Sequence, residues 1–596
     1  MIGWVNFRLF DYKKRLMTGV HKLSLLETPF SDDSYYCYFN NTNDIKANSV
    51  YIEIDSFVTS IQYEKVQLEE NFVFNSSALI ISPTDEKKIL EITQRNPFDE
   101  LNNYDKEILW NNRYKLIQEP SMLAKILKCV DYTNQQHVLE LEKILSAAKP
   151  LTPIQSIELL TGQFLHESIR GFAVKCFEQA SPQECESFLI QLVQGLKYET
   201  SHDSDLSRYL LKMAISYPLT IGHSLFWNIR SEIYNPVVQQ RFSLILEVFL
   251  DKIGSNLRAL FTDEATLVTH LIKISEIPFK QDIPMNNKTS LFQTYLNDIN
   301  EIITKSKRKE TSLPINFKYR CKSIIKEKCK MLSTKGNPLL IVFENSDTTS
   351  EDFIIEFKVG VDLRKEMYIL QLFKMMQTLW FHNSIKTKMT IYNVVSTGWN
   401  QGMVEIIQHN KLLSEISKEE TKSLSKTKIE KWLNRNGILS EEELVNNFLM
   451  TCLAYCIATF ILGITDRNKT NISLKTNGEI FQVGFSRLLG YDNPDDISKR
   501  YKKYAPFYFS NSFMNYLDHK NIKKYNEFKL KLWEGFNAIR KNIDIVIALL
   551  RILLSTGLPE LTEKSIRILE STMCLNLNEE QAQAFLKKML KTSLNF

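Results

Sequence analysis

Between residues 181 and 252, apolar side chains return every three or four positions. In "SPQECESFLIQLVQGLKYE", Phe188, Leu189, Leu192, Val193 and Leu196 form one stripe at helical spacing. The stripe is entered through Ser181-Pro182, with Glu184 three residues after the cap, the pattern of a capping box with proline in the first turn. "DLSRYLLKMAIS", "IGHSLFWNIRSEI" and "VVQQRFSLILEVFLDKI" repeat the period at short intervals. Residues from about 96 to 300 therefore read as stacked antiparallel helices of the HEAT or armadillo kind, although no repeat exists in the residues themselves.

On either side the period is two. "GWVNFRLFDY", "VHKLSLLE", "SVYIEIDSF" and "SIQYEKVQL" alternate between Asn, Asp and Ser turns, and predict antiparallel strands over residues 1 to about 75. Four runs are few for a sandwich of about seven strands, so this sheet is expected to be incomplete at its N-terminal side. After the charged, proline-ended "KSKRKETSLP", read as a solvated linker, strands return in "NPLLIVFEN" and "DFIIEFKVG". A helix in "EMYILQLFKMMQTLWFH", a strand pair in "MTIYNVVSTG" and "GMVEIIQ", and mainly helices from about residue 440 complete the chain. The fold class is multidomain α+β.

Composition narrows the possibilities. At 596 residues, several cores are expected. The 74 Lys+Arg against 69 Asp+Glu leave a net charge of +5, which argues against a polybasic nucleic-acid binder. Nine scattered cysteines without a Cys-x-x-Cys read as reduced thiols, and "MIGWVNFRLFDYKKR" has no signal-peptide pattern, so a cytoplasmic location is expected. The uncharged "FLMTCLAYCIATFILGI" falls short of the ~20 residues a bilayer asks for. It is expected to be an enclosed core helix, not a transmembrane span.

Candidate chemistry concentrates in "GITDRNKTNISLKTNGEIFQVGFSRLLG". Phosphoryl transfer from ATP needs a lysine on a strand, an acid holding Mg²⁺, an asparagine for a further metal contact and a base near the acceptor hydroxyl. Lys358 ends the strand "IIEFK"; Asp466 and Asn471 follow the apolar helix; a hairpin then leads to Gly484-Phe485-Ser486.

Longer segments carry a specific resemblance. "EFKVGVDLRKEMYILQ", "LAYCIATFILGITDRNKTN", "STGWNQGMVEII" and "STKGNPLLIVFEN" resemble the kinase-domain motifs of phosphoinositide 3-kinases. "LIQLVQGLKYE", "LSRYLLKMAIS" and "IGHSLFWNIRSEI" are similar to the helical domain of the class I catalytic subunits, and "GWVNFRLFDYKKRLMTG" to late strands of their C2 domain. The resemblance implies the C-terminal part of a C2-like β-sandwich over 1–90, a helical accessory domain over 91–300 and a bilobal PI3/PI4-kinase-like domain over 310–596. Its N-lobe would span about 315–407 and its C-lobe about 440–596. It further implies that Lys335 and Lys358 meet the ATP phosphates, that Glu405 and Ile407 offer hinge backbone to the adenine with Tyr392 in the same pocket, and that Asp466, Arg467 and Asn471 form the catalytic loop, with Asn471 a metal ligand.

Departures cluster where that chemistry would occur. The family reads Asp-Phe-Gly-His where this chain has Gly484-Phe485-Ser486-Arg487, so the acid that holds Mg²⁺ is absent and Gln482 cannot supply its charge. Asn468 and Arg487 replace the two family histidines; Glu366 stands for an Asp, and Val361 and Trp399 for two others. In "YDNPDDISKRYKKYAPF" the first basic cluster has become acidic at Asp492, Asp495 and Asp496, while Lys499, Arg500, Lys502 and Lys503 keep the second, which the family uses on lipid headgroups. The resemblance implies ATP and Mg²⁺ as cofactors, with Mg²⁺ placed in question by Gly484, and peripheral contact with a phosphoinositide membrane surface. "NPFDELNNYDKEILW" keeps Glu100 and Asp105 of the patch that meets SH2-containing regulatory subunits, which makes such a partner an expectation. Adaptor- and Ras-binding segments are not recognisable before Met1, nor a terminal Trp-bearing helix after "KTSLNF", so a truncated product, fragment or isoform is expected. Two functions follow: an impaired lipid 3-kinase, or a pseudokinase that binds partners.

Overall fold

In the computed structural model of the chain, Ser181 caps the helix Pro182–Gly195 as its spacing predicts: its hydroxyl accepts the Glu184 N–H, and the Glu184 carboxylate accepts the Ser181 N–H at 2.9 Å. The structure describes residues 7, 9–10, 15–24, 49–55, 81–279, 285–306, 309–332, 334, 336–418, 428–464, 466–485, 488–489, 504–518 and 523–595. Cα packing divides the chain into two units: 1–225 with 232–249 and 547–557, and 226–231 with 250–546 and 558–596.

Within the first unit, helices dominate. The stripe Phe188, Leu189, Leu192, Val193 and Leu196 is buried, and Asp205–Ser216 packs beside it. Arg170, also buried, ties the layer together: its guanidinium pairs with Glu199 at 2.8 Å and donates to the carbonyls of Leu160, Phe164 and Gly195. With all its donors directed to acceptors, the charge is tolerated inside. Two strands precede the helices, β1 (Gly19–Ser24) and β2 (Ser49–Ile54), antiparallel from Gly19 opposite Ile54 to Ser24 opposite Ser49. The run "SIQYEKVQL" expected as a further strand, and most of "GWVNFRLFDY", lie outside the described residues.

The second unit is α+β. Its strands are β3 (Thr311–Leu313), β4 (Asn316–Ile324), β5 (Lys330–Met331), β6 (Leu339–Asn345), β7 (Phe353–Val359), β8 (Val394–Gly398), β9 (Gln401–Glu405), β10 (Asn410–Leu412), β11 (Ile472–Lys475) and β12 (Ile480–Gln482). One antiparallel sheet runs β3-β4-β6-β7-β9-β8 with β5 on β6, and a smaller one runs β10-β11-β12. The helices Ser255–Ser275 and Met285–Lys305, which the sequence reading sets in the helical domain ending at 300, belong to this unit. Polar bonds help hold them there: Asn300 exchanges both amide hydrogen bonds with the Ile324 backbone at 2.6 and 3.1 Å, and Glu264 accepts the Ser312 hydroxyl and the Trp227 indole N–H.

The apolar segment forms most of the helix Glu441–Ile461, started by a Ser440–Glu443 capping box. Burial covers 83% of its most apolar window, which accounts for hydrophobicity on every side. Its polar groups are satisfied inside: Thr451 and Thr459 donate to carbonyls four residues back, and the Tyr455 hydroxyl donates to Thr390 O at 2.6 Å. Gly535 on the helix Tyr525–Lys541 permits close approach, since a Cβ there would meet Ile457 Cδ1 at 2.6 Å.

Candidate active site

Strand alternation sets the first wall. Ile355 and Phe357 of β7 are buried on one face, which places Glu356 and Lys358 together on the other. Lys358 Nζ lies 2.9 Å from Glu356 Oε2. Across the sheet, Glu356 stands between Leu340 of β6 and Val404 of β9, while Lys358 opposes Gly402.

The hinge follows β9. Directly opposed residues in an antiparallel hydrogen-bonded pair ordinarily exchange both backbone bonds. Here Glu405 N–H donates to Asn393 O at 2.9 Å, but the Asn393 N–H turns to Glu405 Oε2 at 2.8 Å. The Asn393 amide and the Tyr319 hydroxyl also donate to this carboxylate, at 2.7 and 2.6 Å. Burial and then the Glu405 carboxylate push the Tyr319 phenol well above its usual value. The consequence is a hinge whose Glu405 carbonyl has lost a ladder donor, next to an Ile407 N–H with no acceptor among the described residues. A donor–acceptor pair of this kind suits the edge of a flat heteroaromatic base.

Behind the hinge, Tyr392 is almost wholly buried and donates to Glu366 Oε1. The same oxygen accepts the Gly484 N–H at 3.3 Å, so Glu366 links the helix Arg364–His382 to Gly484. Burial first, then the Glu366 charge, hold the Tyr392 phenol protonated. Tyr392 thus belongs to the back wall and not to an open pocket lining.

The loop after the core helix is braced by its own side chains. Asn471 Oδ1 accepts the Asn468 N–H at 2.9 Å, and its amide donates to Asp466 O at 2.7 Å. Asn468 Oδ1 accepts the Thr470 N–H at 2.7 Å, an Asx turn. Arg467 pairs with Asp466 at 2.9 Å, donates to the carbonyls of Val483 and Gly484 at 3.0 and 2.7 Å, and lies 4.9 Å over the Phe485 ring. The hairpin β11–β12 turns at Gly478, whose φ of +85° and 2.5 Å clearance between an added Cβ and Leu444 O both require glycine.

The donors near Gly484 are few. Asn471 spends both ends of its amide on the loop, Gly484 offers no side chain, and the described residues contain no group of three His, Cys, Asp or Glu able to share a cation. A cavity of about 590 Å³ opens beside the hinge, lined among others by Tyr319, Phe353, Ile354, Ile407, His409 and Lys475. Glu405 and Ile407 of the hinge are in its wall, whereas Lys358, Tyr392 and Asn471 are not.

The structure therefore assembles Lys358, Tyr392, Glu405, Ile407, Asp466, Arg467, Asn468 and Asn471 within the second unit. Lys335, Arg487 and the headgroup set Lys499, Arg500, Lys502 and Lys503 lie outside the described residues. Sequence reasoning missed Glu356, although two-residue alternation with Lys358 was enough to put a carboxylate beside that lysine.

Comparison with known families bears on these positions. Residues 79–262 match the accessory (PIK) domain of the phosphoinositide 3-kinase family, and residues 352–563 match phosphatidylinositol 3- and 4-kinase. Two stretches of the chain are thus similar to the accessory and kinase domains of the phosphoinositide 3-kinase family. It is 28% identical over 606 residues to phosphatidylinositol 3-kinase 1 of Dictyostelium discoideum, covering 100% of this chain and 38% of that protein. Identity is 27% over 640 residues to phosphatidylinositol 3-kinase 2 of the same organism, with 100% and 34% covered. The phosphatidylinositol 4-phosphate 3-kinase C2 domain-containing subunit beta of Homo sapiens is 28% identical over 606 residues, with 100% and 36% covered. This phosphoinositide 3-kinase-like chain thus spans little more than a third of the length of these relatives. Its kinase match includes β7, Glu405 to Ile407, the Asp466–Asn471 loop and Gly484.

Proposed function

We propose that this is a catalytically impaired phosphatidylinositol 3-kinase, descended from the class I line to which its helical-region motifs are similar. The family reaction moves the γ-phosphoryl group of ATP to the 3-hydroxyl of an inositol lipid, and the family uses ATP with Mg²⁺. Gly484 carries the reading: a residue without a side chain stands where the family holds its metal, with no carboxylate cluster among the described residues to replace it. Losing one charge-stabilising group costs about 10² to 10³ in rate, and the histidines replaced by Asn468 and Arg487 take away acid–base help as well. The retained hinge, Lys358 and braced Asp466–Asn471 loop support nucleotide recognition without efficient transfer.

A pseudokinase scaffold is the second reading, favoured by Asn471, whose amide serves the loop at both ends. Under either reading the chain works in the cytoplasm and at phosphoinositide membranes, through Lys499, Arg500, Lys502 and Lys503, with an SH2-containing regulatory subunit as partner. The test is a lipid kinase assay on phosphatidylinositol vesicles, with ATP thermal shifts taken with and without Mg²⁺. Turnover in the ordinary kinase range of ~1–100 s⁻¹ would refute impairment. A Mg²⁺-dependent ATP shift would reveal a metal site.

A further inference from the structure

The residue given to Lys358 as a partner is unusual for a phosphate-binding lysine. Glu356 sits two positions earlier on the same face of β7, 2.9 Å from the ammonium, with Leu340 and Val404 as its cross-strand neighbours. Both side chains are largely covered, at 25% exposure for Lys358 and 17% for Glu356. Water therefore does little to screen the pair, and the apolar neighbours offer the carboxylate no hydrogen bond.

We propose that Glu356 is a built-in counter-ion to Lys358, which sets the pocket to recognise the nucleoside part of a nucleotide and to gain almost nothing from its phosphates. The inference rests on the nucleotide reading given above. A phosphate that takes Lys358 must draw it from Glu356, and the carboxylate then remains, half-desolvated and unpaired, close to further negative charge. Removing one partner of a covered pair costs more than leaving both in place. Adenosine and ATP have the same base and ribose, so only the phosphates feel this opposition. The hinge supplies the binding energy common to both, through Glu405 C=O and Ile407 N–H. Nothing in this arrangement needs a metal ion, which agrees with the donor set around Gly484.

The test compares dissociation constants for adenosine and ATP on the full chain in metal-free buffer, by calorimetry, for the unmodified protein, E356Q and E356Q/K358M. Gln is close to Glu in shape, and a melting curve for each variant verifies folding. The unmodified protein is expected to bind the two ligands within about threefold of one another. E356Q should tighten ATP at least about tenfold, which corresponds to ~1.4 kcal/mol, with adenosine unchanged. K358M in the E356Q background should abolish the gain. Adenosine binding together with an unchanged ATP ratio in E356Q, an unmodified protein that already prefers ATP more than about tenfold, or a gain that survives K358M would each overturn the counter-ion role while leaving the nucleotide pocket standing. Absence of adenosine binding at millimolar concentration in both the unmodified protein and E356Q would overturn the pocket as well.

Discussion

Gly484→Asp restores the family acid, and the structure sets both its cost and its expected gain. Gly484 has φ +65°, a left-handed conformation that disfavours side chains by ~1–2 kcal/mol, least for Asn and Asp. A Cβ built there meets nothing within 4 Å, so the penalty is confined to the backbone. The surroundings split the new charge between two influences. Glu366, whose Oε1 is 3.3 Å from the Gly484 N–H, repels it, whereas Arg467, 2.7 Å from the Gly484 carbonyl, attracts it. Two carboxylates in proximity favour a divalent cation, so the variant should melt a few degrees lower than the unmodified protein in metal-free buffer and recover with Mg²⁺. Lipid phosphorylation should rise by ~10² or more if the missing acid is the main defect. Thermal shift with and without Mg²⁺, followed by the lipid kinase assay, measures both. A folded variant with neither Mg²⁺ dependence nor a rise in turnover would refute the reasoning and assign the defect to Asn468 and Arg487.

Other consequences can be checked on the same protein. Arg467→Ala should destabilise the second unit by ~3–5 kcal/mol, because Asp466 loses its cation and the Val483 and Gly484 carbonyls lose donors; an unchanged urea midpoint would contradict this. Asn471→Ala should cost ~0.5–1.5 kcal/mol by removing the bonds to the exposed Asn468 N–H and the Asp466 carbonyl, with faster amide exchange at Asn468; unaltered exchange would dismiss the brace. Burial alone would raise the Glu479 carboxyl, but hydrogen bonds from Lys388, Lys475 and Thr390 outweigh it and hold the group at about 2. Because the folded value is depressed, this contribution is present above the ordinary carboxylate value and disappears as pH falls toward 2. Glu479→Gln should therefore flatten the acid limb of the stability curve between about pH 4.5 and 2; an unchanged limb would exclude Glu479 as its source.

Much of this was legible without tertiary structure. The two periods separated helices from strands because side-chain direction repeats locally, every 3.6 residues or every two. Ser181 with Glu184 worked from a few neighbouring residues. The departure at Gly484 needed only the local motif and its resemblance to the family's run. The Lys358–Glu356 pair was also local, but its meaning depended on Leu340 and Val404 arriving on either side. Other features lay beyond any local pattern. Glu366 accepts from Tyr392 and also from Gly484, 118 positions further along the chain than itself. The Glu405 carboxylate takes the Asn393 N–H and thereby releases a hinge carbonyl, a choice that the β8–β9 register creates. Asn300 and Glu264 bind two helices to the β-sheet unit despite a helical period indistinguishable from that of the helices before them. The sequence by itself determined which elements form and, through its resemblance to the family, put Gly484 where that family has an acid. Tertiary structure decided which charges face one another, because a side chain's partner depends on register and packing between segments far apart in the chain.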